Sequence, residues 1–280
     1  MLKKLLFVVP TLVLLFFASC GKDNSAVVVG DDNAEGDEPL TRHLQKIEYR
    51  DSRHPDKLLV SLITWDGDKI IRIEDDPSNI EQSSQCVVDF LYDGDRIVGS
   101  NHIIRSTSRN DTLYKVTYHY NGNVIDYIDM RSMYGVNDDR HIDYVYDNGK
   151  IVRLTVSGVS NNSVEDFDWN NGNVFIVDGS YFDVAVEYGN IINPFRFPMG
   201  VGYYELGVWE ISSNRPLMGL DGAFPLVWCK NMPIQLMGDD IVFDFEWTSE
   251  DGYPTSVTFP YFDKKEEGEG DLIIINYYYE

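Results

Sequence analysis

The chain has 280 residues, of which 43% are hydrophobic, and its 46 Asp and Glu residues against 23 Lys and Arg residues give a formal net charge of −23. This acidity excludes nucleic acid and anionic lipid headgroups as direct partners, because both require a positively charged surface. The hydrophobic content and the 18 tyrosines predict a folded chain, long enough to bury a substantial core.

The N-terminal residues have the pattern of a secretory signal. Two lysines precede the apolar run Leu5–Phe17, and the small pair Ala18-Ser19 leads into Cys20. The run is too short to span a membrane as a helix, which needs about 20 apolar residues, so residues 1–19 are predicted to be a signal peptide. One possibility is that the signal is simply cleaved and that Cys20 is an incidental cysteine.

The junction Phe-Ala-Ser-Cys, ending at Cys20, resembles the lipobox of bacterial lipoproteins, although Phe17 stands where Leu is usual. The resemblance implies that the Cys20 thiol is diacylated and that Cys20 becomes the mature N-terminus. Removal of Lys3 and Lys4 with the signal would change the net charge from −23 to −25. The membrane, reached through this lipid, is therefore the first predicted partner.

Residues 20–40 are polar, acidic and poor in aromatic residues, as expected of a flexible tether. Gly21-Lys22-Asp23-Asn24 resembles the short charged signal that sends many Bacteroidetes lipoproteins to the outer face of the outer membrane. The resemblance implies an outer-membrane lipoprotein displayed at the cell surface in preference to the periplasmic face. Acidic linkers without any sorting role are the alternative.

An internal repeat begins at about residue 58 and continues to residue 192. Each unit has an aromatic residue, then Asp-Gly or Asn-Gly, then a β-branched strand, which is the strongest short-range pattern for a hairpin. A degenerate copy lies at Val186–Ile192. Successive turn glycines are 27, 28, 27 and 23 residues apart, at Gly67, Gly94, Gly122, Gly149 and Gly172.

The strands of the repeat alternate in polarity. Val116, Tyr118 and Tyr120 share one face, and Lys115 and Thr117 lie on the other, which predicts an antiparallel sheet with one wet face. The units are too short for propeller blades. We therefore predict an all-β fold, an extended curved antiparallel meander of repeated hairpins that forms a half-barrel or a barrel. In the units ending at Gly149 and Gly172 an apparent extra residue predicts a three-residue loop with a glycine bulge.

The repeat stops at Asn193, where prolines and glycines interrupt regular pairing. We predict an irregular packing segment over residues 193–240 and closing strands over residues 241–280. The run Leu272–Tyr279 is so apolar that both of its edges must be paired, so it is expected to close the sheet. Residues 41–280 are thus predicted to form a single β domain.

Several short motifs together resemble a family of uncharacterised Bacteroidetes outer-membrane lipoproteins. They are the lipobox, the aromatic Asp/Asn-Gly hairpins, Asn193-Pro194-Phe195, Lys230-Asn231-Met232-Pro233 and Asp251-Gly252-Tyr253-Pro254. The hairpins are also similar to the shorter tyrosine–aspartate repeats of large bacterial surface and toxin proteins. Neither resemblance implies an activity, a cofactor or catalytic residues.

The sequence contains no recognisable catalytic constellation, and we predict a non-enzyme without a cofactor or a metal. The five histidines have no metal-ligand spacing, and the Asp-Gly-Asp triplets fit hairpin turns better than calcium loops, whose ligands spread over about a dozen residues. Cys86 and Cys229 lie in apolar surroundings and are predicted to be buried free thiols, with a disulfide as the alternative.

The aromatic residue of each repeat is predicted to belong to the core, because a β-repeat must bury one face. Trp209 and Trp228 lie outside the repeat, among prolines and glycines, where loops on a rigid sheet often carry binding residues. We predict a ligand contact there, with Asn214, Asp221 and Asn231 as hydrogen-bonding neighbours. The alternative is that the tryptophans cap the open end of the barrel.

The function predicted from the sequence is a monomeric, lipid-anchored binding module at the cell surface that binds a glycan or another envelope protein. A structural scaffold lipoprotein of an outer-membrane assembly is the alternative. An enzyme, such as a glycoside hydrolase, ranks third, because no motif supports it.

Overall fold

A computed structural model describes most of the chain after residue 39. Two compact units are distinguished, residues 1–35 and residues 36–280, and every described residue belongs to the second. Cys20 and the tether to residue 39 lie outside the described residues. The described ranges are 40–78, 84–106, 109–133, 139–158, 162–179, 183–195, 197, 199–201, 228–238, 242–260 and 272–280.

Most of the described chain is β-strand. In chain order the strands are β1 (Leu44–Asp51), β2 (Leu58–Asp66), β3 (Lys69–Asp75), β4 (Ser84–Asp93), β5 (Arg96–Ser106), β6 (Arg109–Asn121), β7 (Val124–Ser132), β8 (Arg140–Asp147), β9 (Lys150–Gly158), β10 (Ser163–Asn170), β11 (Asn173–Gly179), β12 (Asp183–Ile192), β13 (Asn231–Met237), β14 (Val242–Asp244), β15 (Glu246–Glu250), β16 (Tyr253–Pro260) and β17 (Leu272–Tyr279).

The strands form one antiparallel sheet that returns on itself. Neighbours in sequence are neighbours in the sheet, and β1 pairs with both β17 and β2. β14 and β15 are two halves of one strand separated by Phe245, whose backbone N–H donates to the carbonyl of Ile234 at 2.9 Å. The predicted all-β meander is confirmed, in its barrel-like form.

Two elements were not expected from the sequence. β1 precedes the predicted repeat and supplies the strand that joins the two ends of the meander. β13 lies inside the predicted irregular segment and pairs with β12 and β14, so that part of the prediction is wrong. Leu272–Tyr279, as predicted, is paired on both edges, with β16 and with β1.

The hairpin turns have the positive φ angles that the repeat predicted. Gly94 has φ +61° at the first central position of its turn, and Asn148 and Gly149 have φ +48° and +73° at both central positions. Asp147 pairs directly with Lys150, so this loop has two residues and the predicted three-residue loop is wrong. Here Asn148 and Gly149 occupy the two central positions of the turn, so the residue that seemed extra in the sequence is part of a two-residue loop.

A β-bulge follows each of these turns at the same place. In the first unit Trp65 pairs with Ile70 while Thr64 pairs with Arg72, so Ile71 is left unpaired. A bulge of this kind bends the strand and increases its twist, which favours closure of a wide sheet. The corresponding unpaired residues in later hairpins are Val98, Asp126, Val152, Phe175 and Thr255.

The core lies inside the closed sheet. Ile128, Ile142 and Leu154 each have 0% exposure and belong to one continuous cluster. Their strand neighbours on the opposite face, such as Asp129 and Asp143, are exposed. The barrel therefore has an apolar inner face and a polar outer face.

Candidate functional site

Trp228, the described member of the predicted tryptophan site, is a core residue. Its side chain is only 7% exposed, and its indole N–H donates to the carbonyl of Val201 at 2.7 Å. Its ring meets those of Tyr144 and Phe167 edge to face, with centroids 6.3 and 6.4 Å away. The prediction that Trp228 contacts a ligand is wrong, because its faces are already covered by the inner wall of the barrel.

Asn231 has a structural role as well. Its backbone N–H donates to the side-chain oxygen of Asn173 at 2.9 Å, and the Asn173 amide donates back to the side-chain oxygen of Asn231 at 3.2 Å. The backbone N–H and the side-chain oxygen of Asn231 thus both join β13 to the start of β11. The remaining members of the predicted site, Trp209, Asn214 and Asp221, lie outside the described residues.

The described ends of the predicted irregular segment lie inside the barrel. Phe195 and Val201 are each 1% exposed. Phe197 packs against Phe90 of β4, with ring centroids 5.4 Å apart. The carbonyl of Gly200 accepts a hydrogen bond from the Tyr144 hydroxyl at 3.2 Å. These described residues therefore fill interior space that a wide sheet would otherwise leave empty.

The repeated aromatic residues form a hydrogen-bonded ladder near the hairpin turns. The hydroxyl of Tyr120 donates to the carbonyl of Ile97 at 2.7 Å, and that of Tyr146 donates to Ile125 at 2.8 Å. In each case the acceptor belongs to the preceding hairpin. Equivalent donors are Trp65 to Leu44, Tyr92 to Ile70, Trp169 to Ile151 and Trp247 to Pro233.

At one position of this ladder, the partner of the tyrosine hydroxyl is a thiol. The sulfur of Cys229 lies 3.3 Å from the Tyr188 hydroxyl and accepts from the backbone N–H of Val174 at 3.4 Å. Burial raises the pKa of Cys229 to about 11, so the group remains a thiol. Cys229 and Cys86 are both buried thiols that are not joined in a disulfide, as the sequence predicted.

The aromatic rings of the ladder are covered on the outer side. The Arg96 guanidinium lies 4.5 Å from the centroid of the Tyr120 ring and donates to the carbonyl of Gly122 at 3.1 Å. His43 stacks on Trp65 with centroids 4.5 Å apart. The predicted structural role of these aromatics is confirmed, because covered rings cannot stack on a ligand.

Exposed rings and carboxylates do converge at one place on the outer face. His119 of β6, Tyr127 and Asp129 of β7, and His141 and Asp143 of β8 are adjacent in the sheet; we call them the histidine–aspartate cluster. The side chains of the two histidines are 36% and 40% exposed, and those of the two aspartates 51% and 55%.

The rings of the cluster stack across three strands. His119 lies over Tyr127 with centroids 4.2 Å apart and planes 14° from parallel. His141 approaches the same ring at 4.8 Å. Tyr127 reaches the outer face because the bulge at Asp126 follows the inward-facing Ile125; strict alternation would have turned Tyr127 into the core.

Electrostatics reinforce the cluster. His141 Nδ1 lies 2.8 Å from Asp129 Oδ1, and His141 Nε2 lies 3.1 Å from Asp143 Oδ1. The hydrogen bond with Asp129, assisted by Asp143, raises the pKa of His141 above its usual value. His119 Nε2 lies 3.1 Å from the other oxygen of Asp129. The cluster therefore favours a protonated His141.

The cluster is not a metal centre. His141 directs both ring nitrogens at carboxylate oxygens, an arrangement suited to N–H donors and not to a lone pair on a metal. Within the described ranges, no set of three or more His, Cys, Asp or Glu side chains is arranged to hold a metal ion.

The same part of the chain contains no helix with the length and hydropathy of a membrane span.

This cluster was not predicted from the sequence. Its residues meet only through strand pairing, between partners 8 to 16 positions apart. A signal for the bulge was present: after most of the turns, inward apolar residues are spaced by three positions, as in Ile125 and Ile128 or Ile151 and Leu154. That spacing departs from the period of two expected of a regular strand.

Comparison with known proteins shows distant likeness to solved structures. No known protein family and no curated protein matches the chain. Among solved structures, a porin-like protein from Bacteroides vulgatus is similar with a TM-score of 0.40 and 13% sequence identity, over 85% of this chain and 99% of that chain.

Proposed function

We propose that this chain is an outer-membrane lipoprotein, anchored through Cys20, whose barrel is a non-catalytic binding module displayed at the cell surface. The observation that supports the proposal most directly is the polarity of the two barrel faces. A barrel that spans a bilayer presents an apolar band to lipid and commonly a polar interior. The described strands have the reverse arrangement.

The outer face carries ion pairs at positions that would contact lipid in a spanning barrel. The Arg153 guanidinium donates to the Asp166 carboxylate at 2.5 and 2.8 Å, and Arg72 donates to Asp89 across β3 and β4. Some apolar residues on this face are flanked by charges along their strand, as Val145 is by Asp143 and Asp147. A domain with such a surface needs an anchor outside its strands, and acylation of Cys20 would provide it.

We propose the histidine–aspartate cluster as the binding surface of the barrel and a glycan as its ligand. The partly exposed imidazoles of His119 and His141, and the edge of the Tyr127 ring, can pack against a sugar ring. Asp129 and Asp143 can accept hydrogen bonds from sugar hydroxyls. A scaffold role comes second. The exposed Ile176, Met237 and Val242 lie in one row across β11 to β14, and a partner protein could cover that row.

The anchor is tested with Cys20→Ala expressed in the native host. The wild type should fractionate with membranes, acquire a labelled fatty acid and be cleaved by protease added to intact cells. The variant should lose the label and leave the membrane fraction. A variant that stays in the membrane fraction contradicts lipid anchoring, and a labelled wild type that resists protease contradicts surface display.

The binding site is tested by screening the mature domain against host and bacterial glycans. Tyr127→Ala should weaken binding at least tenfold. Tyr278→Ala, which removes a tyrosine 41% exposed on β17, should not. Trp209→Ala tests the site predicted from the sequence. If Trp209→Ala loses glycan binding and Tyr127→Ala retains it, the binding site lies in the segment outside the described residues and not at the histidine–aspartate cluster. Equal urea midpoints must first show that the variants are folded.

A further inference from the structure

His141 is held between two carboxylates on the outer face. Its Nδ1 faces Asp129 at 2.8 Å and its Nε2 faces Asp143 at 3.1 Å. A neutral imidazole has one N–H and one lone pair, so only the doubly protonated imidazolium can donate to both carboxylates. Deprotonation would leave a lone pair facing a carboxylate oxygen, which is repulsive.

The second oxygen of Asp129 extends the arrangement to a third strand. Asp129 Oδ2 lies 3.1 Å from His119 Nε2 on β6, while Asp129 Oδ1 faces His141 on β8. The carboxylate of β7 therefore links the strands on both sides. Tyr127 stacks on His119 and meets His141 at a tilt of 41°, and these contacts hold both imidazoles beside the carboxylate.

We propose that His119, Asp129, His141 and Asp143 form a proton-dependent clamp across β6, β7 and β8. The clamp is closed when His141 carries both ring protons and opens when one is lost. Opening also removes a positive charge from an exposed surface that retains both carboxylates. The clamp is a property of the free domain, so it does not depend on what the outer face binds.

Other charged groups on the outer face also affect the protonation of His141. On the outer face β6 also presents Lys115, β7 presents Asp126 and Arg131, and β9 presents Arg153, whose charge is matched by Asp166. Directly beside the clamp β9 presents Thr155 and Ser157, which are neutral. Lys115 and Arg131 lie one row beyond Asp129, and their positive charges oppose protonation of His141. Asp129 and Asp143 have the larger effect, because they contact the His141 ring directly.

The direction of the pH effect follows from linkage. Because contact with Asp129 raises the folded-state pKa of His141, the clamp stabilises the fold fully below the unfolded pKa of histidine. This contribution is lost as the pH rises through the folded pKa. The clamp is therefore an element that mild acid strengthens and alkaline pH releases.

The test is an NMR titration of the imidazole C–H resonances in the folded domain. His141 should titrate at a higher pH in the wild type than in Asp143→Asn, and at a higher pH than in the urea-unfolded chain. Asp168→Asn, which removes an outer-face carboxylate from β10, is the matched control and should leave the titration of His141 unchanged.

Urea unfolding of the wild type and of His141→Gln at a series of pH values provides the second readout. The difference between their midpoints should be largest at mildly acidic pH and should narrow as the pH rises. A His141 that titrates at the same pH in the wild type and in Asp143→Asn would overturn the clamp. A midpoint difference that does not vary with pH would overturn it as well.

Discussion

The hydroxyl of Tyr120 donates a hydrogen bond to the backbone carbonyl of Ile97, 2.7 Å away in the preceding hairpin. Ile97 is itself the strand partner of Tyr92, whose hydroxyl reaches back in turn to Ile70. The repeat thus connects each hairpin to the one before it through a side chain, in addition to the backbone ladder. Burial raises the pKa of Tyr92 to about 12, which keeps its hydroxyl a donor at physiological pH.

Removing one hydroxyl from this ladder should have a measurable cost. Tyr120→Phe keeps the ring and removes the donor to Ile97, and we expect a loss of about 1 kcal/mol in the free energy of unfolding. Tyr127→Phe is the control, because it removes a hydroxyl from the outer face and should change stability by less than about 0.5 kcal/mol. Urea denaturation followed by tryptophan fluorescence measures both. Equal losses in the two variants would show that the ladder contributes nothing specific.

The turn glycines should be required for their backbone conformation and not for space. A Cβ at Gly94 would have no neighbour within 4 Å, but φ is +61°, so Gly94→Val should cost on the order of 1 to 3 kcal/mol through strain alone. Asp93→Ala keeps the glycine and should cost less. Equal shifts in urea midpoint for these two variants would contradict the assignment of the turn.

Gly99 provides the opposite case. Its φ is ordinary, but a Cβ there would overlap the backbone carbonyl oxygen of Val116 on β6. Gly99→Ala should therefore destabilise the barrel by forcing β5 and β6 apart, whereas Gly94→Ala should relax locally. Amide hydrogen exchange distinguishes them: protection should fall along β5 and β6 only in Gly99→Ala. Unchanged protection there would indicate that the strands are not so closely packed.

His102 should make the fold sensitive to acid. It is 3% exposed inside the barrel, and burial lowers its pKa to about 4 from 6.5. Because the folded state binds the proton more weakly than the unfolded chain, stability is lost as the pH falls from about 6.5 to about 4, by about 3 kcal/mol in total. His102→Leu should remove this loss. A wild type and variant with parallel stability–pH curves in that window would contradict the assignment.

Trp228 should behave as a core residue. Trp228→Ala removes a ring packed against Tyr144 and Phe167, a change that typically costs about 3 to 5 kcal/mol. Trp228→Phe retains part of the packing but leaves the carbonyl of Val201 without its indole donor, so it should cost an intermediate amount. Thermal unfolding by circular dichroism measures the series. A stable Trp228→Ala variant would mean that the indole is dispensable to the core.

Much of the barrel could be predicted from local sequence, because its interactions are short in range. Asp-Gly and Asn-Gly determine the turns, and alternation along Val116, Tyr118 and Tyr120 determines which face is buried. The spacing of three between Ile125 and Ile128 is a further local signal, because it marks the bulge at Asp126. Each of these features depends on residues that are adjacent along the chain.

Tertiary structure alone decided what the barrel encloses and which outer side chains meet. Trp228 is in the core because it enters the barrel interior together with Phe195, Phe197 and Val201. This packing is long-range, and no local periodicity in the sequence indicates it. β1 joins β17 across more than 220 residues. The contacts of His141 with Asp129 and of His119 with Tyr127 exist only once three strands are in register, and register is set by the whole sheet and its bulges.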